Sequence, residues 1–212
     1  MNLKKILTET KKLWNKFWFL LWKDDSFRGW LFSIIFIFIF IKFIFFPALS
    51  FVTGTPLPLA IVESCSMYHN GNLISSFDKW FEKHEDKYSD FEIEKQTFED
   101  FIFRKGLNKG DILFVVGANP DKLEVGNVII FSAGQQNPVI HRIIKIEEQN
   151  NERIFSTIGD NNNGQLSFEK NIRENQLVGK PLLKIAPYFG WVKLIFFEHQ
   201  KPQNERGFCS EN

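Results

Sequence analysis

The ten residues ESCSMYHNGN, 63–72, crowd two serines, a cysteine, a methionine and a histidine together just after an apolar segment. A serine hydroxyl is a poor nucleophile at neutral pH unless a base takes its proton and an acid orients that base. Two fragments downstream offer the partners: VIHRIIKI, 139–146, carries His141, and FSTIGDNNNG, 155–164, carries Asp160. Each signal is weak alone, since a histidine on a strand is more often structural and a Gly-Asp-Asn-Asn run is a good turn in its own right. Cys65 opens a second chemistry, a sortase-like cysteine transpeptidase using Cys65, His141 and Arg142. On an extended strand neighbouring side chains face opposite ways, so only one of Cys65 and Ser66 can meet His141.

Upstream, WLFSIIFIFIFIKFIFFPALSFV runs from Trp30 to Val52 with Lys42 as its one charged residue. That length crosses a bilayer core of roughly 30 Å as a helix. The leader before it is too long for a signal peptide, and a helix apolar on every face needs lipid around it. Lys4, Lys5, Lys11, Lys12, Lys16, Lys23 and Arg28 precede the run, against Glu9, Asp24 and Asp25, whereas Phe43 to Asp78 has no lysine or arginine. The positive-inside rule therefore predicts a cytoplasmic N-terminus and an extracytoplasmic remainder in a single-pass protein of the cell membrane. Leu3, Ile6, Leu7, Leu13, Trp14, Phe17, Trp18 and Leu21 fall at helical spacing between lysines, which predicts a basic amphipathic helix for the inner leaflet of the lipid bilayer.

With 212 residues, the chain has room for one ordinary domain besides this anchor. Lysine and arginine total 26 against 25 aspartates and glutamates, so overall charge gives no reason to expect nucleic acid as a partner. The acidic, aromatic stretch Ser75–Phe103 predicts one or two amphipathic helices, with Phe77, Trp80, Phe81, His84 and Tyr88 on one stripe. Beyond Lys109, short β-rich runs alternate with turn residues and predict a mostly β domain. The two cysteines, Cys65 and Cys209, leave a pairing open without requiring it. The reading divides the chain into a cytoplasmic segment 1–28, a transmembrane helix 29–52, a domain 53–198 with a helical insert at about 70–106, and a polar tail 199–212.

SCSM, NKGDILFV, VIHRI, GDNNNG and LVGKPLLKIAPYFGWV together resemble type I signal peptidases of the archaeal and endoplasmic-reticulum type, from Val62 to Phe197 apart from the insert. The resemblance implies a mostly β catalytic domain that cleaves signal peptides from preproteins without a cofactor or metal, with the protein translocation channel as a candidate partner. It implies Ser66 as nucleophile, His141 as general base and Asp160 as the acid, with Ser64 and the Ser66 N–H forming an oxyanion hole and Met67 lining the cleft. His69 stands where the family commonly has proline, Ile158 where it has lysine before GDN, and the second acid five or six positions after Asp160 is missing. Asp111 and Glu169 are the substitute acids, although Lys109-Gly110-Asp111 reads more simply as a turn into a strand. The missing acid keeps open an inactive binding or assembly factor on the same scaffold.

Overall fold

In this computed structural model, residues 3–70, 77–135 and 137–210 are described. The chain forms two compact units, Met1–Val52 and Thr53–Asn212. The first holds α1 (Leu3–Trp22) and α2 (Phe27–Phe40), which continues through a π-helical turn, Ile41–Phe45, into α3 (Phe46–Thr53). Pro47 has no N–H to return to the Phe43 carbonyl, and the π-helical turn lies where that bond is missing. The Ser26 hydroxyl caps α2 by accepting from Gly29 N at 3.2 Å. Phe17 of α1 packs edge-on to Phe32 and Phe36, and Ser33 donates to the Leu20 and Leu21 carbonyls. The continuous apolar helix, Phe27–Thr53, is 27 residues long, enough to cross a bilayer.

The second unit is built on a six-stranded antiparallel sheet in the order β1 (Leu59–Ile61), β2 (Ile112–Val116), β6 (Leu177–Ala186), β3 (Val128–Phe131), β4 (Val139–Gln149), β5 (Glu152–Ile158). The β-rich runs of the sequence become these strands because both faces of the sheet's centre are covered. All four residues of β3 are buried, as are His141 to Ile144 of β4. Alternation then sorts β4 into two faces. Ile143 joins Ile129, Phe131 and Phe155 in one cluster, whereas Ile144 joins Ile158 and the helical insert in another. A third cluster gathers Ala60, Val62, Met67, Leu113, Val115, Val128 and Ile130. A bulge between Ile143 and Lys145 shifts the β4–β5 register beyond these buried residues.

The insert contributes α4 (Phe77–Ser89) and α5 (Lys95–Glu99); its residues 71–76 lie outside the described residues. The predicted stripe is buried through Trp80, Phe81 and Tyr88, which meet Phe98 and Ile93 against Ile144 and Ile158. This element is core, not decoration. Trp80 stacks flat on His69, with ring centroids 3.4 Å apart. The tail is also tied down: Cys209 is bonded to Cys65, and the Lys109 ammonium reaches Glu198 Oε2 at 2.8 Å and the Glu205 carbonyl at 2.7 Å. The PYFGWVKLIFF run forms a single short helix, α6 (Trp191–Leu194), whose Leu194 is buried while Val192, Ile195 and Phe196 are exposed.

Trp80 is 3% exposed, so Trp80→Ala leaves a cavity under His69 and Phe98. It is expected to destabilise the sheet unit by about 3–5 kcal/mol. That loss should lower its melting temperature by roughly 10 °C, read by thermal unfolding in detergent. An unchanged melting temperature would show that the insert does not support the sheet.

Candidate active site

The sequence places His141 and Arg142 side by side, and the pleat of β4 sends them to opposite faces. Arg142 is fully buried on the insert side. Its Nε donates to Asp160 Oδ1 at 3.0 Å and its Nη2 to Oδ2 at 2.7 Å. Its other N–H groups reach the carbonyls of Ile102 (2.9 Å), Gly126 (2.9 Å) and Phe103 (3.1 Å). Every donor of the guanidinium has an acceptor, which is the condition for burying this charge. The rings of Phe98 and Phe101 lie alongside it, Phe98 at 4.7 Å.

Asp160, expected to orient His141, is thereby occupied elsewhere. Its buried carboxylate takes Arg142 on both oxygens, the Tyr88 hydroxyl at 2.9 Å on Oδ1 and His69 Nε2 at 2.9 Å on Oδ2. Burial alone would raise its pKa, but the Arg142 charge and the His69 hydrogen bond hold it well below the usual carboxylate range. The acid that meets His141 is Glu169, in a short 3-10 turn after the GDNNNG loop: Oε1 and His141 Nδ1 approach to 2.5 Å, short of hydrogen-bond alignment. Glu169 Oε2 is held by the Leu166 N–H, which fixes the carboxylate from behind. Both groups are buried. Asp111, the other substitute, is taken up by Asn108 N, Tyr188 N and Lys184 Nζ, the structural role expected of a turn into a strand.

Ser66 lies in a turn, closed by Tyr68 N donating to the Cys65 carbonyl at 3.1 Å, and not on an extended strand. Its carbonyl accepts from Asn161 N at 2.7 Å, and Asn161 Nδ2 donates to the Cys65 carbonyl at 3.1 Å. Gly159 permits this approach, since a Cβ there would sit 2.8 Å from the Ser66 carbonyl oxygen. Arg142 pairs with Ile158, so one further step along the ladder sets Gly159 across from His141. The Ser66 loop is thus hydrogen-bonded to the turn that follows β5. Among the described residues the Ser66 hydroxyl is bonded to Ser64 Oγ, at 3.1 Å, and not to His141. Met67, expected to line a cleft, is buried in the core, where its carbonyl holds Leu107 N at 2.7 Å. Gly106 follows the same logic as Gly159: it has φ +73°, and a Cβ would strike His69 and the Met67 carbonyl.

Cys65 is disulfide-bonded to Cys209, with Cα atoms 5.3 Å apart, so it has no thiolate to offer. The transpeptidase expectation is corrected on that ground. Two of the sequence departures find their partners here: His69 binds Asp160, and beside Ile158 it is the insert's Lys87 that donates to the Asp160 and Asn162 carbonyls. No cluster of potential metal ligands occurs among the described residues.

Sequence comparison finds relatives among known proteins. The chain is 32% identical over 100 residues to the signal peptidase complex catalytic subunit SEC11C of Homo sapiens, which covers 44% of the chain and 52% of the relative. It is 27% identical over 158 residues to the catalytic subunit sec11 of Schizosaccharomyces pombe, 70% of the chain and 72% of the relative. The chain is similar in sequence to catalytic subunits of signal peptidase complexes. It spans about half the length of the mammalian subunits it matches, 52%, and no family model matches it. The chain carries the mostly β domain and N-terminal apolar helix that the resemblance implied.

The buried cluster has an acid-sensitive member. Burial pushes His69 down from 6.5 to about 4; the Asp160 hydrogen bond opposes this, and the Arg142 and His84 charges add to it. Its Nδ1 is buried with no partner, so a second ring proton would be unpaired. Between about pH 6.5 and 4 the unfolded chain binds a proton that the folded chain refuses, and stability falls as pH drops through that window. The shift corresponds to about 3 kcal/mol. Asp160, with its depressed pKa, adds a further loss only at more acid pH. We expect the melting temperature to fall from pH 7 to pH 4.5 and the fall to be flatter in His69→Gln; an identical slope in both would remove His69 as its source.

Proposed function

We propose that the chain is a single-pass membrane serine endopeptidase that removes signal peptides from preproteins at the outer face of the cell membrane. The observation that carries this reading is the pairing of His141 with a buried carboxylate, Glu169, beside a loop that presents Ser66. Glu169 supplies the acid whose absence kept an inactive scaffold in play. The names of the relatives, catalytic subunits of signal peptidase complexes, support the substrate class.

In this mechanism Ser66 Oγ attacks the carbonyl carbon of the scissile bond while His141 Nε2 takes the hydroxyl proton. Glu169 fixes the Nδ1–H tautomer and stabilises the imidazolium. The oxyanion is received by the Ser66 N–H and the Ser64 hydroxyl, which already lies 3.1 Å from Ser66 Oγ. The imidazolium then protonates the departing amine of the mature protein, leaving the signal peptide esterified to Ser66. Water, deprotonated by His141, hydrolyses that ester. Hydrogen bonds of this kind are often loose before substrate arrives, and binding draws the Ser66 hydroxyl from Ser64 to His141.

The orientation rests on the basic residues before Trp30, and the Cys65–Cys209 bond agrees with an oxidising compartment. The bilayer and the translocation channel are the surroundings this activity needs. In proteoliposomes supplied with a preprotein, Ser66→Ala should lower cleavage by at least about 10³-fold, with binding retained. Cleavage that survives Ser66→Ala would overturn the serine mechanism.

A further inference from the structure

Helix α4 does more than fill the core beneath β4 and β5. Lys87 is half-buried on its inner face, between the rings of Trp80 and Tyr88, at 5.8 and 5.2 Å. Its ammonium donates to the carbonyl oxygens of Asp160 and Asn162, the latter at 3.1 Å. Those carbonyls flank Asn161, whose backbone N–H and side-chain amide hold the Ser66 and Cys65 carbonyls at 2.7 and 3.1 Å. One short chain of contacts therefore runs from the insert, through the turn 160–162, to the backbone of the nucleophile. On its far side the loop is fixed by the Cys65–Cys209 bond, and Asn161 Nδ2 also reaches the Ser210 carbonyl at 3.2 Å.

Two carbonyl dipoles aimed at one point repel each other unless a cation sits between them. Lys87 fills that position although burial, the largest influence, pushes its pKa down to about 8; Asp160 and Glu169 pull it up and Arg142 pushes it down further. Asp160's carboxylate is saturated by Arg142, His69 and Tyr88, so the lysine gains carbonyl oxygens in place of a carboxylate partner. An apolar side chain of similar length would fill the same space between Trp80 and Tyr88 without that desolvation cost. What the ammonium adds is the shape of the turn.

We propose that Lys87 is a positioning residue for the nucleophile: by clamping the carbonyls of Asp160 and Asn162 it sets the turn that holds Ser66 beside His141, which makes the insert a working part of the active site. The inference rests on the serine-peptidase reading, and its test separates the two. The full-length protein, reconstituted in liposomes, is assayed on a preprotein as wild type, Lys87→Met, Lys87→Arg and Ser66→Ala. Melting temperature and amide hydrogen exchange in the peptide spanning Ser64–Asn70 are recorded for each. Misplacing the nucleophile by a fraction of an ångström in Lys87→Met should lower kcat by about 10–100-fold with KM little changed. Exchange around Ser66 should rise while the melting temperature stays close to wild type, and Lys87→Arg should recover most of kcat. Unchanged kcat and exchange in Lys87→Met would overturn the proposal. So would failure of both Lys87 variants to fold, or activity that falls with melting temperature and is not rescued by arginine, because Lys87 would then serve stability alone. Cleavage that persists in Ser66→Ala would sink the serine-peptidase reading instead, and the exchange comparison would still decide whether Lys87 orders the Ser66 loop.

Discussion

The buried pair of Arg142 and Asp160 organises the domain. Taking a guanidinium and a carboxylate out of water costs several kcal/mol per ion, and the cost is met only where every donor and acceptor is used. Here the guanidinium draws in the carbonyls of Ile102, Phe103 and Gly126, and the carboxylate draws in His69 and Tyr88. Four segments converge on Arg142 of β4 and its partner: the loop after Ser66, the insert, the loop before β3 and the turn after β5 that carries Asp160. Removing either partner would leave the other charged and unpaired, a loss of about 3–5 kcal/mol.

This pair also explains the division of labour between the two acids. Because β4 alternates, its His-Arg dipeptide serves two faces, and each face has its own carboxylate. Asp160 neutralises Arg142 and thereby anchors the turn on which Ser66 rests. Glu169, anchored through Leu166, meets His141 on the other side. The catalytic proposal therefore stands on a structural pair that takes no part in proton transfer. The insert adds Trp80, Tyr88 and Lys87 to that support, so it belongs to the architecture of the site.

Much of this was legible in the sequence. The apolar run, the amphipathic stripe of the insert and the β-rich second half follow from periodicity and residue type, whereas the roles of Ser66 and His141 come from the resemblance. Asp160 meets Arg142 and not His141 for a physical reason: the GDN motif brings it close to β4, and the alternation of His141 and Arg142 leaves it on the arginine's face. Applied to the strand, that alternation signals that an arginine next to His141 needs a carboxylate of its own. The roles of His69 and Tyr88 were out of reach, since they contact Asp160 across 91 and 72 positions of chain. The Cys65–Cys209 bond spans 144 positions and could be named only as an option. The turn around Ser66 is not legible as one, because a short Ser-Cys-Ser-Met run has no periodicity to distinguish turn from strand.

The most direct measurement compares Glu169→Gln with Asp160→Asn for both preprotein turnover and thermal unfolding in the same liposomes. The account predicts that Glu169→Gln keeps a melting temperature close to wild type and loses kcat by up to about 10⁴-fold. It predicts that Asp160→Asn loses its melting transition or shifts it strongly downward. A folded Asp160→Asn with severely reduced kcat, beside a Glu169→Gln that cleaves normally, would contradict it and return the acid's role to Asp160.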